Sequence, residues 1–406
     1  MLRRCLFVCL LTAAYSLTSH GGEAQFERIK LDDTFRAEGV AVGDFNKDGQ
    51  LDVAAGDVWY AAPSWKISRI RQPLSQQGKP TDAYDGSKGY SNCFASWSYD
   101  INRDGWDDLI VIGYPGDPCY WYENPQNEPG DWKQNEIWHS ACNETVLFTD
   151  LTGDGQPELI LGSQPERQMG YLTVPTVEKC HEKWVFTPIS EPGDPNENGT
   201  FKYYHGLGTG DVNSDGRLDL IIPHGWWESP EKRDAGLWAF HPLPLSKNNE
   251  GVPVHASNIY TMDLDLDGDN DLLLSSAHAF GVWWFENLGP ASDQPFKYHL
   301  IDESFSQTHA LALVDFTGKN QPALVTGKRY FAHMGGDPGE FQPVVMYWYD
   351  IERTKGQPPQ FVKHEIESGK DTGVGTQFTV VDFNKDGLLD VVLSNKKGVN
   401  VLLQKK

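Results

Sequence analysis

Apolar residues in this chain recur in short runs that are bounded by polar turns. Runs such as Asp219–Ile222 (DLII) and Asp271–Leu274 (DLLL) are typical of buried strands. Each is followed by an aromatic stretch and then by a segment in which an aromatic residue precedes an aliphatic residue by five positions, as in half-exposed strands. These segments are 26–31, 65–70, 132–137, 184–189, 238–243, 296–301 and 361–366. The pattern predicts an all-β repeat protein.

A polar nine-residue loop precedes the buried runs. It reads DFNKDGQLD at Asp44–Asp52, with oxygen-bearing side chains at positions 1, 3, 5 and 9 and glycine at position 6. The other copies are Asp100–Asp108, Asp150–Glu158, Asp211–Asp219, Asp263–Asp271 and Asp382–Asp390, with a decayed copy at Asp315–Ala323. Their starts lie 50 to 67 residues apart, which indicates one structural unit per copy.

The spacing of the oxygens predicts calcium sites. Carboxylates on alternate residues converge on one ion, and glycine permits the tight turn between them. An EF-hand is excluded because position 12, where that loop needs glutamate, is apolar, as at Ala55 and Val111. The predicted ligands are Asp44, Asn46, Asp48, Asp52, Asp100, Asn102, Asp104, Asp108, Asp150, Thr152, Asp154, Glu158, Asp211, Asn213, Asp215, Asp219, Asp263, Asp265, Asp267, Asp271, Asp382, Asn384, Asp386 and Asp390. The decayed copy, with Lys319 and Ala323 at positions 5 and 9, is expected to lack metal.

These loops resemble the FG-GAP/VCBS repeats, which in the integrin α-chain head lie in the blades of a β-propeller. The resemblance implies that residues 25–406 form a single propeller. Seven loops and seven alternating segments predict seven blades, six of them with a calcium loop between their first two strands. The first strand, Phe26–Leu31, is expected to complete the last blade and so close the ring.

Residues 1–24 are predicted to be a signal peptide. Arg3 and Arg4 precede a short apolar run, and Gly22–Ala24 offers small residues for cleavage. The protein is therefore expected to be secreted or periplasmic, with no membrane span and as a monomer. The four cysteines that follow predict two disulfides, with the pairing among Cys93, Cys119, Cys142 and Cys180 left open.

The charge of the chain limits its partners. The formal net charge is −23, much of it in the repeated loops, where six calcium ions would offset about twelve charges. The remaining acidity argues against binding to nucleic acid. A carbohydrate or another extracellular or cell-surface ligand is the expected partner.

Polar residues are predicted to gather at the end of the propeller opposite the calcium loops. About six residues before each loop, the chain leads into the first strand; these lead-in residues are Glu38, Phe94, Glu144, His205, Ser257, His309 and Thr376. The residues that leave the second strand, the exit residues, are Asp57, Gly113, Ser163, His224, Ser276, Lys328 and Asn395. From this end we select as candidate catalytic residues Glu144, His205, His224, His278, His309, Lys328, Arg329, Tyr330 and His333.

These side chains suit proton chemistry on a polyhydroxylated ligand. Histidine acts as acid or base near neutral pH, and lysine or arginine stabilises a developing anion. Imidazoles with Glu144 also form a ligand set for a transition metal beside the calcium ions. The leading hypothesis is a carbohydrate lyase or dehydratase, with a weaker similarity to the propeller of the aldos-2-ulose dehydratases. The alternative is a non-catalytic glycan- or protein-binding propeller.

Overall fold

The computed structural model describes residues 24–405, except 76–78, 233–235, 244, 246–254, 290–291, 293–294, 319 and 370–371. Within that part of the chain there are 28 β-strands and one 3₁₀ turn, Val177–Lys179, but no α-helix. It follows that no helix among these residues has the length and apolarity needed to cross a membrane. The predicted signal peptide lies almost wholly outside the described residues, as does Lys319.

The strands form antiparallel four-stranded units in chain order. The first two units are β2 (Ala41–Gly43), β3 (Asp52–Ala55), β4 (Val58–Ala61), β5 (Lys66–Arg69) and β6 (Ala95–Tyr99), β7 (Asp108–Ile112), β8 (Cys119–Glu123), β9 (Lys133–Trp138). The third and fourth are β10 (Leu147–Thr149), β11 (Glu158–Ser163), β12 (Gln168–Thr173), β13 (Val185–Pro188) and β14 (Leu207–Gly210), β15 (Asp219–Ile222), β16 (Gly225–Glu228), β17 (Ala239–Pro242).

The remaining units follow the same order. They are β18 (Asn258–Met262), β19 (Asp271–Ser275), β20 (Phe280–Asn287), β21 (Phe296–Ser306); β22 (Leu311–Val314), β23 (Ala323–Gly327), β24 (Val345–Glu352), β25 (Gln360–Ser368); and β26 (Thr379–Val381), β27 (Asp390–Asn395), β28 (Gly398–Lys405) with β1 (Gln25–Asp32). The fold is an all-β propeller. All seven alternating segments predicted from the sequence are outer strands.

Hydrogen bonding does not separate the units into the seven independent blades that the sequence predicts. The described strands form five four-stranded sheets and one eight-stranded sheet, in which β14 and β18 pair in parallel through Leu207–Asn258 and Gly208–Ile259. The physical reason is the absence of side chains at Gly208 and Gly210, where a Cβ atom would collide with Ile259 and Thr261. Glycine therefore lets the two first strands approach to hydrogen-bonding distance, and the prediction of seven separate blades is wrong.

The ring is closed by the N-terminal strand, as predicted. β1 pairs antiparallel with β28 from Gln25–Lys405 to Asp32–Val399, which makes it the outer strand of the last unit. Phe26 also stacks on Phe316 of the preceding unit, with ring centroids 5.9 Å apart. The pairing covers the edge of β28 that would otherwise present free backbone groups.

The core lies between neighbouring units, and the cysteines belong to it. All four cysteines are buried as free thiols, so the predicted disulfides are absent. Their sulfur atoms contact other polar groups: Cys119 Sγ lies 3.7 Å from the Trp138 carbonyl oxygen, Cys142 Sγ lies 3.4 Å from Ser140 Oγ, and Cys180 Sγ lies 3.4 Å from His181 Nδ1. Burial raises the pKa of Cys93 to about 11 and that of Cys119 to about 12, so these thiols are packing residues.

Candidate functional site at the propeller axis

A cavity of about 480 Å³ opens at the axis, on the end opposite the repeated loops. The first strands are the innermost strands of the propeller, so the residues that lead into them converge there. The cavity is lined by Tyr90, Phe94, Tyr114, Glu144, Tyr203, His205, His255, His278, His333 and Asp337. Three of these, Phe94, Glu144 and His205, are predicted lead-in residues.

Three imidazoles and one carboxylate meet at the floor of the cavity. His205 Nε2 lies 2.8 Å from His278 Nε2 and 3.3 Å from His309 Nε2. Glu144 Oε2 lies 3.3 Å from Nε2 of both His205 and His309. We call these four residues the axial cluster. They come from four different units, so their proximity is a product of ring closure.

Asp337 orients two imidazoles at once. Its Oδ2 atom lies 3.1 Å from His278 Nδ1 and its Oδ1 atom lies 3.0 Å from His333 Nδ1. Gln307 Nε2 donates a further hydrogen bond to Oδ2 at 3.0 Å. Burial alone would raise the pKa of Asp337, but these hydrogen bonds hold it far below its ordinary value. The carboxylate therefore accepts Nδ1–H from both rings, which leaves their Nε2 atoms free to accept.

Burial holds two histidines of the floor, His278 and His309, in the neutral form. It lowers the pKa of His278 to about 4 and that of His309 well below the ordinary value. Burial also lowers the pKa of His255 at the cavity wall. Glu144 is ionised: burial opposes the charge, but His205 and His309 hold its pKa well below the usual range.

A buried cation lies directly behind Glu144. Arg329 Nη2 lies 3.1 Å from Glu38 Oε1, and Arg329 Nη1 lies 3.6 Å from Glu144 Oε2. Burial raises the pKa of Glu38, and the Arg329 charge opposes that shift. The guanidinium also packs against the rings of Tyr90 and Phe94, at 5.7 and 5.8 Å. Arg329 thus links the floor of the cavity to its aromatic wall.

Tyrosines form the rim. Tyr114 Oη and Tyr203 Oη are 3.2 Å apart, and the Lys202 ammonium lies 5.1 and 5.5 Å from the centroids of the two rings. Tyr90 packs against Tyr114 at 6.0 Å between centroids. Burial raises the pKa of Tyr90 and of Tyr114, so their hydroxyls keep their protons at neutral pH.

Six of the nine predicted catalytic residues lie at this site, and three lie elsewhere. Lys328 is fully buried, and its Nζ donates to Ser306 Oγ at 2.9 Å and Gln307 Oε1 at 3.0 Å. His224 pairs with the Tyr204 hydroxyl at 2.5 Å, and Tyr330 packs on Phe331. Lys328 and His224 end second strands, one strand further from the axis than the lead-in residues, and neither they nor Tyr330 lines the cavity.

Sequence reasoning missed Asp337, Tyr90 and Tyr203. Asp337 lies in the segment 327–339, which follows β23 and departs most from the repeat. Tyr90 and Tyr203 lie in the long connections before β6 and β14. The signal for all three is their place in insertions at the axial end, but spacing gives no register for an insertion.

A cavity of about 600 Å³ lies away from the axis, between the first two units, with Trp59, Arg69, Asn124 and Trp132 in its walls. Its ion pair, between Arg69 Nε and Asp131 Oδ1 at 2.6 Å, is exposed on both sides. None of the described residues that line it is a histidine, so it is the poorer candidate for chemistry despite its size.

The repeated loops have one geometry in all six intact copies. Glycine at position 6 has a positive φ of 84° to 109°, and the position-4 residue is also left-handed. In the first loop, Asp44 accepts the backbone N–H groups of Asp48 and Gly49, and Asn46 Oδ1 accepts that of Asp48. Carboxylate oxygens converge in two loops, Asp150–Asp154–Glu158 and Asp263–Asp265–Asp267, within 4.8 Å of one another. The oxygen-only donor set and the tight turn fit calcium.

The aspartate at position 9 of the loop also stabilises the unit. It is the first residue of the second strand. One of its carboxylate oxygens accepts the backbone N–H of loop position 2, and the other accepts a backbone N–H at the end of the third strand. In the first unit these donors are Phe45 and Ala62, at 3.1 and 2.9 Å. The same bridge is made by Asp108, Asp219, Asp271 and Asp390. Each oxygen keeps a lone pair for a cation.

Residues 100–161, which hold the second and third loops, match the model of the FG-GAP-like repeat family. The propeller contains an FG-GAP-like repeat. No curated protein matches the propeller significantly over its sequence. The predicted similarity to the aldos-2-ulose dehydratases stays a hypothesis.

Solved structures similar to the propeller include a lectin from Agrocybe aegerita that recognises non-reducing terminal N-acetylglucosamine. It is 14% identical, with a TM-score of 0.44 over 95% of this chain and 87% of the lectin. The Vibrio cholerae biofilm matrix protein Bap1 is 11% identical, with a TM-score of 0.38 over 95% of this chain and 84% of its own. The Photorhabdus luminescens Tc holotoxin pore is 14% identical, with a TM-score of 0.36 over 87% of this chain and 16% of its own.

Proposed function

We propose that the axial cavity binds a carbohydrate and eliminates a β-oxygen group from it after proton abstraction next to a carboxylate or carbonyl, as a carbon–oxygen lyase does. The observation that carries the proposal is the convergence of an oriented imidazole–carboxylate pair, a floor of imidazoles and tyrosine hydroxyls on one cavity. The predicted export of the protein is part of this proposal, because it brings the cavity to extracellular polysaccharide.

His333 is the proposed base. It lines the cavity, its side chain is 37% exposed, and its Nδ1 atom is bound to Asp337 at 3.0 Å. A carboxylate that accepts Nδ1–H places the lone pair on Nε2 and stabilises the imidazolium that forms after proton transfer. His278, stacked on His333 with centroids 4.3 Å apart, fixes the plane of the ring.

Both proton transfers of the elimination use side chains that line the cavity. Nε2 of His333 takes the proton from the carbon next to the carboxylate or carbonyl, and the C–H electron pair forms an enolate. When the enolate collapses, the C–O bond at the β-carbon breaks, a C=C bond forms, and the leaving oxygen takes a proton from a donor such as Tyr90. Because Glu144 is ionised and Arg329 and Lys328 do not line the cavity, the enolate oxygen would accept hydrogen bonds from donors in the lining such as the tyrosine hydroxyls.

The rim supports a polyhydroxylated ligand. Tyr114 and Tyr203 present ring faces and hydroxyls side by side at the mouth. Aromatic faces pack on apolar ligand surfaces, while hydroxyls hydrogen-bond to polar groups. Because these tyrosines can bind a glycan without help from His333, the rim also favours a second candidate function, which is glycan binding without catalysis.

Turnover on a panel of uronate-containing polysaccharides tests the proposal, with the ultraviolet absorbance of the unsaturated product as readout. We expect product from at least one substrate and a loss of roughly 10²–10⁴-fold in kcat for His333→Ala. His241→Ala is the control, because His241 lies on the outer strand β17 and stacks on Trp226. Equal turnover in His333→Ala would exclude this base. Oligosaccharide binding without product, lost in Tyr203→Ala, would establish the non-catalytic alternative.

We further propose that the six intact loops hold calcium. Each loop places three to five acidic side chains within nine residues, and like charges so close repel one another unless a cation lies between them. Each bound ion would join the first strand of a unit to the second, so the scaffold that positions the axial cluster would depend on the metal.

A further inference from the structure

The axial cluster has the spacing of a metal coordination shell. Three of its four closest distances between donor atoms are 3.3 Å and the fourth is 2.8 Å. Nitrogen ligands at about 2.0–2.1 Å on a tetrahedron are about 3.3–3.4 Å apart. Neighbouring ligands of an octahedron at the same bond length are about 2.8–3.0 Å apart. Each of the four contacts therefore has the length expected between two ligands of one ion, and the three imidazole nitrogens lie within 4.8 Å of one another.

Hydrogen bonds satisfy this arrangement poorly. His205 Nε2 faces His278 Nε2, His309 Nε2 and Glu144 Oε2, and one ring nitrogen carries at most one proton. Asp337 accepts Nδ1–H of His278, so His278 turns a lone pair towards the cluster. His309 Nδ1 has no hydrogen-bond partner among the described residues, which leaves Nε2 as the only interacting atom of that buried ring.

The residues around the axial cluster provide the burial and the outer hydrogen-bond partners that are typical of a metal site. The side chains of Glu144, His205 and His309 are 8%, 7% and 0% exposed, so the ligands are held rigidly. The Asp337 carboxylate behind His278 is the outer partner that fixes the tautomer of a metal-binding imidazole. Arg329, 3.6 Å from Glu144 Oε2, plays the corresponding part for the carboxylate.

We propose that Glu144, His205, His278 and His309 bind one divalent transition-metal ion. Imidazole donors suit zinc, iron, cobalt or nickel, whereas calcium and magnesium prefer the all-oxygen donors of the loops. Glu144, His205 and His278 line the cavity and His309 lies behind them, so a fifth, open coordination position would face the cavity. With one carboxylate ligand, the site keeps a net positive charge.

This site deepens the proposed function, on which its catalytic role rests. A carboxylate or carbonyl oxygen of the ligand at the open position would be polarised, and the negative charge of the enolate would be met there. His333 and Asp337, which line the cavity, would then abstract the proton from the carbohydrate. The binding of the metal itself does not depend on which carbohydrate enters the cavity.

Metal titration of untagged, chelator-stripped protein in calcium buffer tests the proposal, with Zn²⁺ and Co²⁺ as probes. We expect one equivalent of either ion beyond calcium, and for Co²⁺ the visible absorption of a low-symmetry site. His278→Ala and Glu144→Gln should each weaken binding at least tenfold, whereas His241→Ala should bind as the wild type does. Circular dichroism of each variant reports whether it is folded.

The outcomes separate this site from the proposed reaction. Failure of the wild-type protein to bind either ion, or unchanged binding in a folded His205→Ala/His278→Ala variant, overturns the metal site. Elimination by metal-free protein would overturn the catalytic role of the metal while leaving the lyase intact. One bound equivalent with no turnover on any substrate supports the metal site and overturns the reaction.

Discussion

At the scale of single residues, the propeller uses the same side-chain types for two purposes. Aspartates at position 9 of the loops accept two backbone N–H groups at 2.7 to 3.1 Å and hold the ends of two strands together. Asp337, in contrast, accepts from two imidazoles and fixes their tautomers. The first role recurs with the repeat and stabilises the fold, and the second occurs once, at the cavity.

The bridging role of position 9 predicts a stability loss that does not depend on calcium. Asp219→Ala leaves the N–H groups of Val212 and Ser229 buried without partners, and we expect a loss of about 2–4 kcal/mol in the free energy of unfolding. Urea denaturation measures it. The matched control is Asn213→Ala at position 3 of the same loop, which should destabilise the protein only while calcium is present. Equal stability of Asp219→Ala and wild type in chelator would contradict the bridge.

At the scale of elements, the lead-in to each first strand decides what reaches the axis. Glu144 precedes β10, His205 precedes β14 and His309 precedes β22, so one register places their side chains in the same region. The repeat period made this part of the site predictable. Asp337 was not predictable, because its segment after β23 has no counterpart in the other units.

Strand pairing shows the same division between what repeats and what does not. The period predicts the loops and the outer strands, since each must bury one face and expose the other. It does not predict the parallel pairing of β14 with β18, which depends on two glycines at one junction, Gly208 and Gly210. Cysteine number likewise does not predict pairing, because buried free thiols that pack against apolar neighbours satisfy the core equally well.

The closing strand gives a prediction at this scale. Ile29 pairs with Val401 and packs against the core between the last and first units. Proline at this position would distort β1 and expose the edge of β28, so we expect Ile29→Pro to lower Tm and to form oligomers. Calorimetry and size-exclusion chromatography measure both effects, with Ile29→Val as the control. If Ile29→Pro stayed monomeric and had the same Tm as Ile29→Val, β1 would not be needed to close the ring.

At the scale of the whole molecule, a ring of similar units brings together the four residues of the axial cluster, which are far apart in the chain. The polar side-chain partners of Glu144 and His309 all come from other units, so the closure of the ring places these side chains together. The stability of the ring and the geometry of the axial cluster are therefore linked, and the proposed calcium ions act on both.

Removal of calcium tests that link. Ions that bind only the folded state stabilise it by about 2.7 kcal/mol per site when present at 100 times Kd. We therefore expect excess chelator to lower Tm substantially, and readdition of calcium to restore it. An unchanged melting curve after elemental analysis has shown loss of the metal would contradict the structural role proposed for the loops.

The most direct test of the proposed metal site is an anomalous-scattering experiment on crystals of the untagged protein grown with Zn²⁺, measured on both sides of the zinc absorption edge. We expect one edge-dependent peak at about 2.0–2.2 Å from His205, His278 and His309 Nε2 and from a Glu144 carboxylate oxygen. We expect no such peak in the repeated loops. If the electron density shows the four side chains in these positions but no edge-dependent peak between them, the proposed metal site is contradicted.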